Sequence, residues 1–222
     1  MCHVLTWLLV LAPMAASLRA ADWVRAGMNT NQLVWGRRGG LLFAIDPAGF
    51  RPREPRGLIR LGCPILPGGG YDLVNFIAIE PFVLGRRGFS ELERSALDHV
   101  TGKRLWAGGS GADKTKPALE SGELSTLASG VERLEVTLHV ERFDNGAHVR
   151  IVISQRSDAP DELCLAIHTE PDSARMDYCV LTATMGNMAR ARQLWLRDDS
   201  GVQSVTTPFN FLDETNPSQY PV

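Results

Sequence analysis

The dipeptide Asn145-Gly146 constrains the fold of this chain most, because it lies between two segments in which apolar and polar residues alternate. Asn-Gly favours the two-residue turn of a β-hairpin, in which both residues take positive φ. The segment 134–140 reads LEVTLHV, with an apolar residue at every second position. A turn centred on Asn145-Gly146 pairs Val140 with Ile151 and Leu138 with Ile153. The sequence therefore predicts an antiparallel hairpin with one buried aliphatic face.

The opposite face of this hairpin is polar. In the same register it carries Thr137, His139, Glu141 and Phe143, which pair with Ser154, Val152, Arg150 and His148 respectively. An imidazole beside a carboxylate and a guanidinium can act as a general acid or base near neutral pH. His139, His148 and Glu141 are therefore candidate catalytic residues, and Arg150 is a candidate ligand for substrate. The alternative is an ordinary solvated sheet face with one cross-strand ion pair.

Most of the remaining chain also has the pattern of short strands separated by turns. The strand candidates are residues 41–45, 57–66, 71–83, 162–168, 177–184 and 193–197. Ser90 and Glu93 have the Ser-x-x-Glu spacing of a helix N-terminus, which predicts a short helix over residues 90–98. Many short strands with little helix favour an all-β fold, an antiparallel β-sandwich or jelly roll with one short helix. We expect residues 21–222 to form one such domain.

The first 20 residues have the pattern of a cleaved leader. An apolar core at residues 4–13, too short to span a bilayer, is followed by small residues, so cleavage near Ser17 or Ala20 is expected. The protein is then secreted or periplasmic. Removing the leader leaves three cysteines, Cys63, Cys164 and Cys179. Cys164 and Cys179 lie in neighbouring predicted strands and either form a disulfide across a hairpin or remain free thiols.

A second candidate carboxylate, Glu80, ends the apolar run FIAIEP at residues 76–81. A carboxylate there is paired, has a raised pKa, or lies at an open strand end. The step Ile79-Glu80-Pro81 resembles a strand of the aldose epimerases of the galactose-mutarotase group, where a Glu on a sandwich strand faces the sugar. The resemblance covers residues 76–81 only, and in those enzymes the step comes late in a longer chain. It implies that Glu80 faces a sugar.

Composition and motifs exclude several classes of function. The formal net charge is −2 and no basic stripe is present, which argues against a nucleic-acid partner. No segment has the length of apolar residues needed for a membrane span. The histidines and cysteines lack the spacing of a metal site, and no glycine-rich loop has nucleotide-binding spacing. We therefore expect no metal and no other cofactor.

These features predict an exported carbohydrate-active protein that cleaves a polysaccharide. β-Elimination next to a uronate needs a base and a cation, for which His139 or His148 and Arg150 are the candidates. Hydrolysis needs two carboxylates about 5 to 9.5 Å apart, for which Glu80 and Glu141 are the candidates. Five aromatic residues could stack on sugar rings, and Trp35 and Tyr178 are the chosen candidates among Trp35, Tyr71, Trp106, Tyr178 and Trp195.

Two other classes remain open, a non-catalytic carbohydrate-binding module and a structural envelope protein. A polar cleft that holds His, Arg and Tyr together favours the lyase. A flat aromatic strip favours the binding module, because sugar rings stack on aromatic faces. A face of scattered, solvated charges favours the structural protein.

Overall fold

A computed structural model describes residues 22–46, 56–108, 119–185, 194–198 and 201–205, which contain fourteen strands, one 3-10 turn at Pro67–Gly69 and no α-helix. The strands are β1 (Trp23–Val24), β2 (Val34–Arg37), β3 (Leu42–Ala44), β4 (Leu58–Leu66), β5 (Gly70–Val83), β6 (Arg86–Arg87), β7 (Leu105–Ala107), β8 (Glu123–Thr126), β9 (Glu132–Val140), β10 (Val149–Arg156), β11 (Ala159–Thr169), β12 (Tyr178–Met185), β13 (Leu194–Asp198) and β14 (Gly201–Val205). All six strand candidates outside the Asn-Gly hairpin are confirmed, whereas the leader at residues 1–20 lies outside the described residues.

The strands form two antiparallel sheets and one separate hairpin. The first sheet has the order β1-β2-β3-β4-β5-β12, with β6 paired to the end of β5. The second sheet has the order β11-β10-β9-β7, with β8 also paired to β9. Strands β13 and β14 pair with each other. This architecture confirms the predicted all-β antiparallel sandwich.

One hydrophobic core lies between the two sheets. Alternate residues of β9, from Leu134 to Val140, point into it and are at most 1% exposed. They meet Ile151 and Ile153 of β10 and the side chains of Ile59, Ile77 and Ile79 from the first sheet. Both sheets therefore follow the period-2 pattern that buries one face of a strand. The other face of the second sheet carries its polar residues.

The Asn-Gly hairpin forms with the predicted face buried, but its register is wrong by two residues. The observed partners are Leu138 with Ile151 and His139 with Arg150. The turn accounts for one of the two residues: the N–H of Gly146 donates to the carbonyl of Phe143, and Gly146 has φ +89°. This is a three-residue loop with glycine in the bulge position, not a two-residue turn. The second residue of the shift arises between this turn and the paired strands, in residues 141–148. Phe143, predicted on the polar face, is 2% exposed in the core.

The predicted helix over residues 90–98 is wrong, since this segment consists of turns. Its expected N-cap, Ser90, is fully buried, and its hydroxyl accepts from the N–H of Ile79 and donates to the carbonyl of Gly57. Those bonds tie the segment to β5, so the hydroxyl does not cap a helix. In the described part of the chain, no helix is long and apolar enough to cross a membrane.

The three cysteines of the described residues are free thiols. Cys164 lies in β11, which pairs with β10, whereas Cys179 lies in β12, which pairs with β5. The two predicted strands are consecutive in the chain but belong to different sheets. The disulfide alternative therefore fails because β11 and β12 do not form a hairpin.

Candidate functional site

A row of four side chains crosses the outer face of the second sheet. Trp106 of β7 pairs with His139 of β9, which pairs with Arg150 of β10, and Arg150 pairs with His168 of β11. Cross-strand neighbours on one face have their Cβ atoms about 4.5 to 5.5 Å apart, so these side chains are in reach of one another. The observed register makes His139 and Arg150 direct partners.

Glu170, in the loop after β11, joins the two central members of the row. One carboxylate oxygen lies 2.9 Å from Nδ1 of His139, and the other accepts from the Arg150 guanidinium at 3.2 Å. The indole of Trp106 stacks on the imidazole, with ring centroids 5.7 Å apart and planes 16° apart. A carboxylate and a stacked ring therefore fix the orientation of His139, and the same carboxylate holds Arg150 beside it. We call His139, Arg150 and Glu170 the bridged triad.

Two open clefts meet at the bridged triad. The first cleft has a volume of about 710 Å³, and its polar lining consists of Glu120, Glu123, Glu135, Thr137, His139, Arg150 and Glu170. The second cleft has a volume of about 760 Å³ and is lined by Arg150, Glu170, Arg175, Asp177 and Tyr178, among others. Both volumes lie within the range of about 300 to 1,000 Å³ that is typical of small-molecule sites. Arg150 and Glu170 line both clefts and form the boundary between them.

Tyr178 lies at the far side of the second cleft and is 55% exposed. Its ring stacks on Phe82 at a centroid distance of 4.4 Å, and the Arg87 guanidinium lies 5.8 Å from the Phe82 ring. One face of the tyrosine ring is therefore supported from behind. A supported aromatic ring can bind a sugar face with little loss of side-chain entropy.

Glu141 has a different position from the one that the sequence predicted. It is 6% exposed, and its carboxylate accepts from the N–H groups of Ala96 and Arg104 at 2.6 and 3.0 Å. These bonds tie the turns of residues 89–104 to the end of β9. The residue is not opposite Arg150, and its carboxylate is used in holding the backbone.

His148 also lies apart from the bridged triad. Its Nδ1 is 2.6 Å from Oδ1 of Asp172, and that hydrogen bond lowers the pKa of Asp172. The N–H of His148 donates to the Ser173 hydroxyl. His148 therefore fastens the loop 170–177 to the start of β10, and it is not among the residues that line either cleft.

Glu80 lies on the outer face of the first sheet, where it is 3% exposed and forms an ion pair with Arg87. The neighbouring Cys179 thiol has its pKa raised to about 11, mainly by burial. Glu80 and the predicted partner Glu141 belong to different sheets, and each is bound to its own groups. The structure does not bring these two carboxylates together in either cleft.

Trp35 has no exposed surface. Its indole stacks on Phe43 at 5.6 Å and its N–H donates to the carbonyl of Glu120. It packs in the core between the sheets, so its ring faces are covered by protein. Among the predicted residues, His139, Arg150 and Tyr178 are the ones that line the clefts.

Several residues of the site were not predicted from the sequence. Glu170 falls in the polar segment between two predicted strands, and nothing local marks it as the partner of His139. The contact of Trp106 with His139 was not predicted, because the strand that carries Trp106 has three residues and is too short to give an alternating pattern. Glu123 and Glu135 are direct cross-strand partners in β8 and β9. Only the pairing of strands shows that these residues meet.

No cofactor ligands are apparent in the part of the chain that the structure describes, where no group of three or more His, Cys, Asp or Glu is placed to hold a metal ion. Comparison of the chain with protein-family models, with curated proteins and with solved structures finds no match. Its function is therefore inferred from the site itself.

Proposed function

We propose that this protein is an exported, carbohydrate-active enzyme that cleaves a uronate-containing polysaccharide by β-elimination at the bridged triad. The observation that carries the proposal is that one carboxylate, Glu170, holds a histidine and an arginine side by side where two open clefts meet. A base and a cation in that arrangement are what elimination next to a carboxylate requires. A supported tyrosine in the adjoining cleft adds a stacking surface for a sugar.

In this proposal His139 is the general base. Glu170 binds Nδ1, and no other described residue is hydrogen-bonded to Nε2, so Nε2 is the atom that accepts a proton. It removes the proton on the sugar carbon that bears the carboxylate. The electron pair of that C–H bond forms the C=C bond, and the C–O bond to the departing sugar breaks. The departing oxygen takes up a proton, which His139 can return.

Arg150 stabilises the charge that develops on the substrate carboxylate during proton removal. Its guanidinium is about one-third exposed and already contacts Glu170, so it is oriented before substrate binds. Three further carboxylates, Glu120, Glu123 and Glu135, line the first cleft and disfavour a uronate there. The second cleft carries Arg175 beside Glu170 and Asp177, and His139 lines only the first cleft. We therefore expect the uronate carboxylate on Arg150, at the boundary between the two clefts.

A second candidate is hydrolysis of a neutral glycan in the first cleft. Glu123 and Glu135 are direct partners across β8 and β9, and cross-strand Cβ atoms lie about 4.5 to 5.5 Å apart. Glycosidases use two carboxyl groups about 5 to 9.5 Å apart, which two glutamates on neighbouring strands can reach, and Glu135 is also paired with Arg133. A neutral chain also avoids repulsion from the acidic side chains of this cleft.

A panel of polysaccharides separates these possibilities when two products are followed together. Elimination gives both the ultraviolet absorbance of an unsaturated uronate and new reducing ends. Hydrolysis gives reducing ends alone. Binding without either product identifies a non-catalytic module. If the protein neither binds nor cleaves any glycan of the panel, the structural envelope protein is the remaining hypothesis.

Variants at the bridged triad test the proposed roles on whichever substrate is cleaved. We expect His139→Asn to lower kcat/KM by about 100-fold or more, because the general base is lost. His168→Ala is the matched control, since His168 lies in the same row opposite Arg150 and lines neither cleft. Full activity of a folded His139→Asn variant contradicts the proposal. Loss of activity in Glu123→Gln and Glu135→Gln, with His139→Asn active, supports hydrolysis.

A further inference from the structure

Strand β12 forms one edge of the first sheet. Its eight residues, YCVLTATM, pair with β5 along their whole length, and within the described residues no strand pairs with its other side. The second side of an antiparallel strand presents every other backbone N–H and C=O to whatever adjoins it. An edge of this kind is a template for adding another strand.

The other edges of the two sheets are protected against strand addition. At the opposite end of the first sheet, β1 has two residues, and β6 consists of two exposed arginines. In the second sheet, β7 and β8 have three and four residues. Strand β11 is long, but it contains Pro160, Asp161 and Glu162. Short length, charge and proline are the features that prevent edge pairing, and each of these strands has at least one.

Strand β12 has none of these protecting features. It contains no charged residue, no proline and no register shift against β5. Two apolar side chains on its outer face, Tyr178 and Val180, are 55% and 38% exposed. β-Branched and aromatic residues dominate this face, and such residues stabilise cross-strand pairs. The composition of β12 is therefore that of a strand that has partners on both sides.

We propose that β12 pairs with β12 of a second copy of this chain, in antiparallel orientation about a two-fold axis. An uncharged strand meets no like charge when it pairs with itself, whereas β11 would bring its acidic residues together. The described strands that follow, β13 and β14, pair with each other and with no other described strand. The dimer joins the two first sheets into one continuous sheet and pairs the backbone groups of the two edges, while Tyr178 and Val180 remain on the outer face.

The test is the molar mass of the full chain in solution, measured by light scattering and sedimentation over a wide range of concentration. We expect a monomer–dimer equilibrium. Val180→Lys places a charge on the edge and should weaken dimerisation at least about tenfold. Ala166→Lys places the same charge on the outer face of the edge strand β11 and should leave dimerisation unchanged. A parent chain that is monomeric at all concentrations overturns the proposal.

Hydrogen exchange gives a second measurement that does not depend on a variant folding. In a dimer, the outward N–H groups of β12 exchange more slowly as the protein concentration rises. Fast exchange at every concentration means that the edge is bare, which contradicts the proposal. Slow exchange in a chain that light scattering shows to be monomeric means that the chain covers its own edge, which also contradicts it.

Discussion

At the scale of single residues, Leu84 occupies a backbone conformation that glycine or asparagine ordinarily adopts. It forms the two-residue turn between β5 and β6 together with Gly85, and the two residues have φ +49° and +74°. Positive φ at both positions defines a type I′ turn. A leucine there brings Cβ close to the following carbonyl oxygen, and this one is 87% exposed, so it gains almost no burial in return.

Replacing Leu84 with Asn should therefore stabilise the fold. We expect the free energy of unfolding to rise by about 0.5 to 1.5 kcal/mol, because Asn tolerates positive φ and the leucine side chain contributes little packing. Urea unfolding measures the change. Met28→Asn is the control, since Met28 is a 68% exposed apolar residue with no positive φ, and its replacement should change stability little. A less stable Leu84→Asn variant would show that the leucine makes a stabilising contact.

At the scale of strands and turns, the described hairpin loops of β8–β9 and β9–β10 have the same geometry. In the second, Gly146 donates to the carbonyl of Phe143, and in the first, Gly130 donates to the carbonyl of Leu127. Both glycines have positive φ, at +89° and +80°. They differ in surroundings: a Cβ added at Gly146 lies 3.2 Å from the Cβ of Ala174, whereas one added at Gly130 meets nothing within 4 Å.

The pair of turns permits a controlled measurement of backbone strain. We expect Gly146→Val to lower the free energy of unfolding by about 1 to 3 kcal/mol, because a β-branched residue is strained at positive φ. Gly130→Val carries the same strain without the contact to Ala174, so it should cost less. Chemical denaturation of both variants gives the two values. Equal losses would show that the contact is relieved by a small shift of the loop 170–177.

The strands themselves were largely predictable, whereas their partners were not. Alternation identified which face of β9 and β10 is buried, because a period of two leaves no other choice once aliphatic residues repeat. Half of the register error arose because Asn-Gly occurs in both two-residue and three-residue turns, and the other half lies in the unpaired residues beside the turn. The side-chain neighbours of Arg150 depend on that register, so His139 rather than Glu141 became its partner. The contact to Glu170 comes from a loop, where no period applies.

At the scale of the whole molecule, the export hypothesis concerns the residues that precede β1. The short apolar core followed by small residues is typical of a leader. Protein recovered outside the cytoplasm should begin at Leu18 or Ala21, as determined by N-terminal sequencing or intact mass. A chain that retains Met1 after export would contradict the hypothesis. Expression without residues 1–17 should keep the protein in the cytoplasm and provides the control.

The fold class followed from composition and turn spacing, but the division of strands between two sheets did not. Strand β11 is followed directly by β12, and consecutive strands usually pair, which favoured a hairpin between them. The chain instead crosses from the second sheet to the first through residues 170–177. This crossing is determined by the packing of both sheets on one core. The residues that pack there are far apart in sequence, so no local pattern predicts the crossing.

The pairing of β12 with β5 also has a consequence for the order in which the molecule is assembled. Val180 pairs with Glu80, so roughly 100 residues separate two strands that lie side by side. Strands β8 to β11 pair with their neighbours in sequence and close short loops, which is fast. During synthesis, one edge of strand β5 stays unpaired until β12 has left the ribosome. A chain stopped anywhere in the second sheet therefore exposes one unpaired edge of β5, and unpaired strand edges favour aggregation.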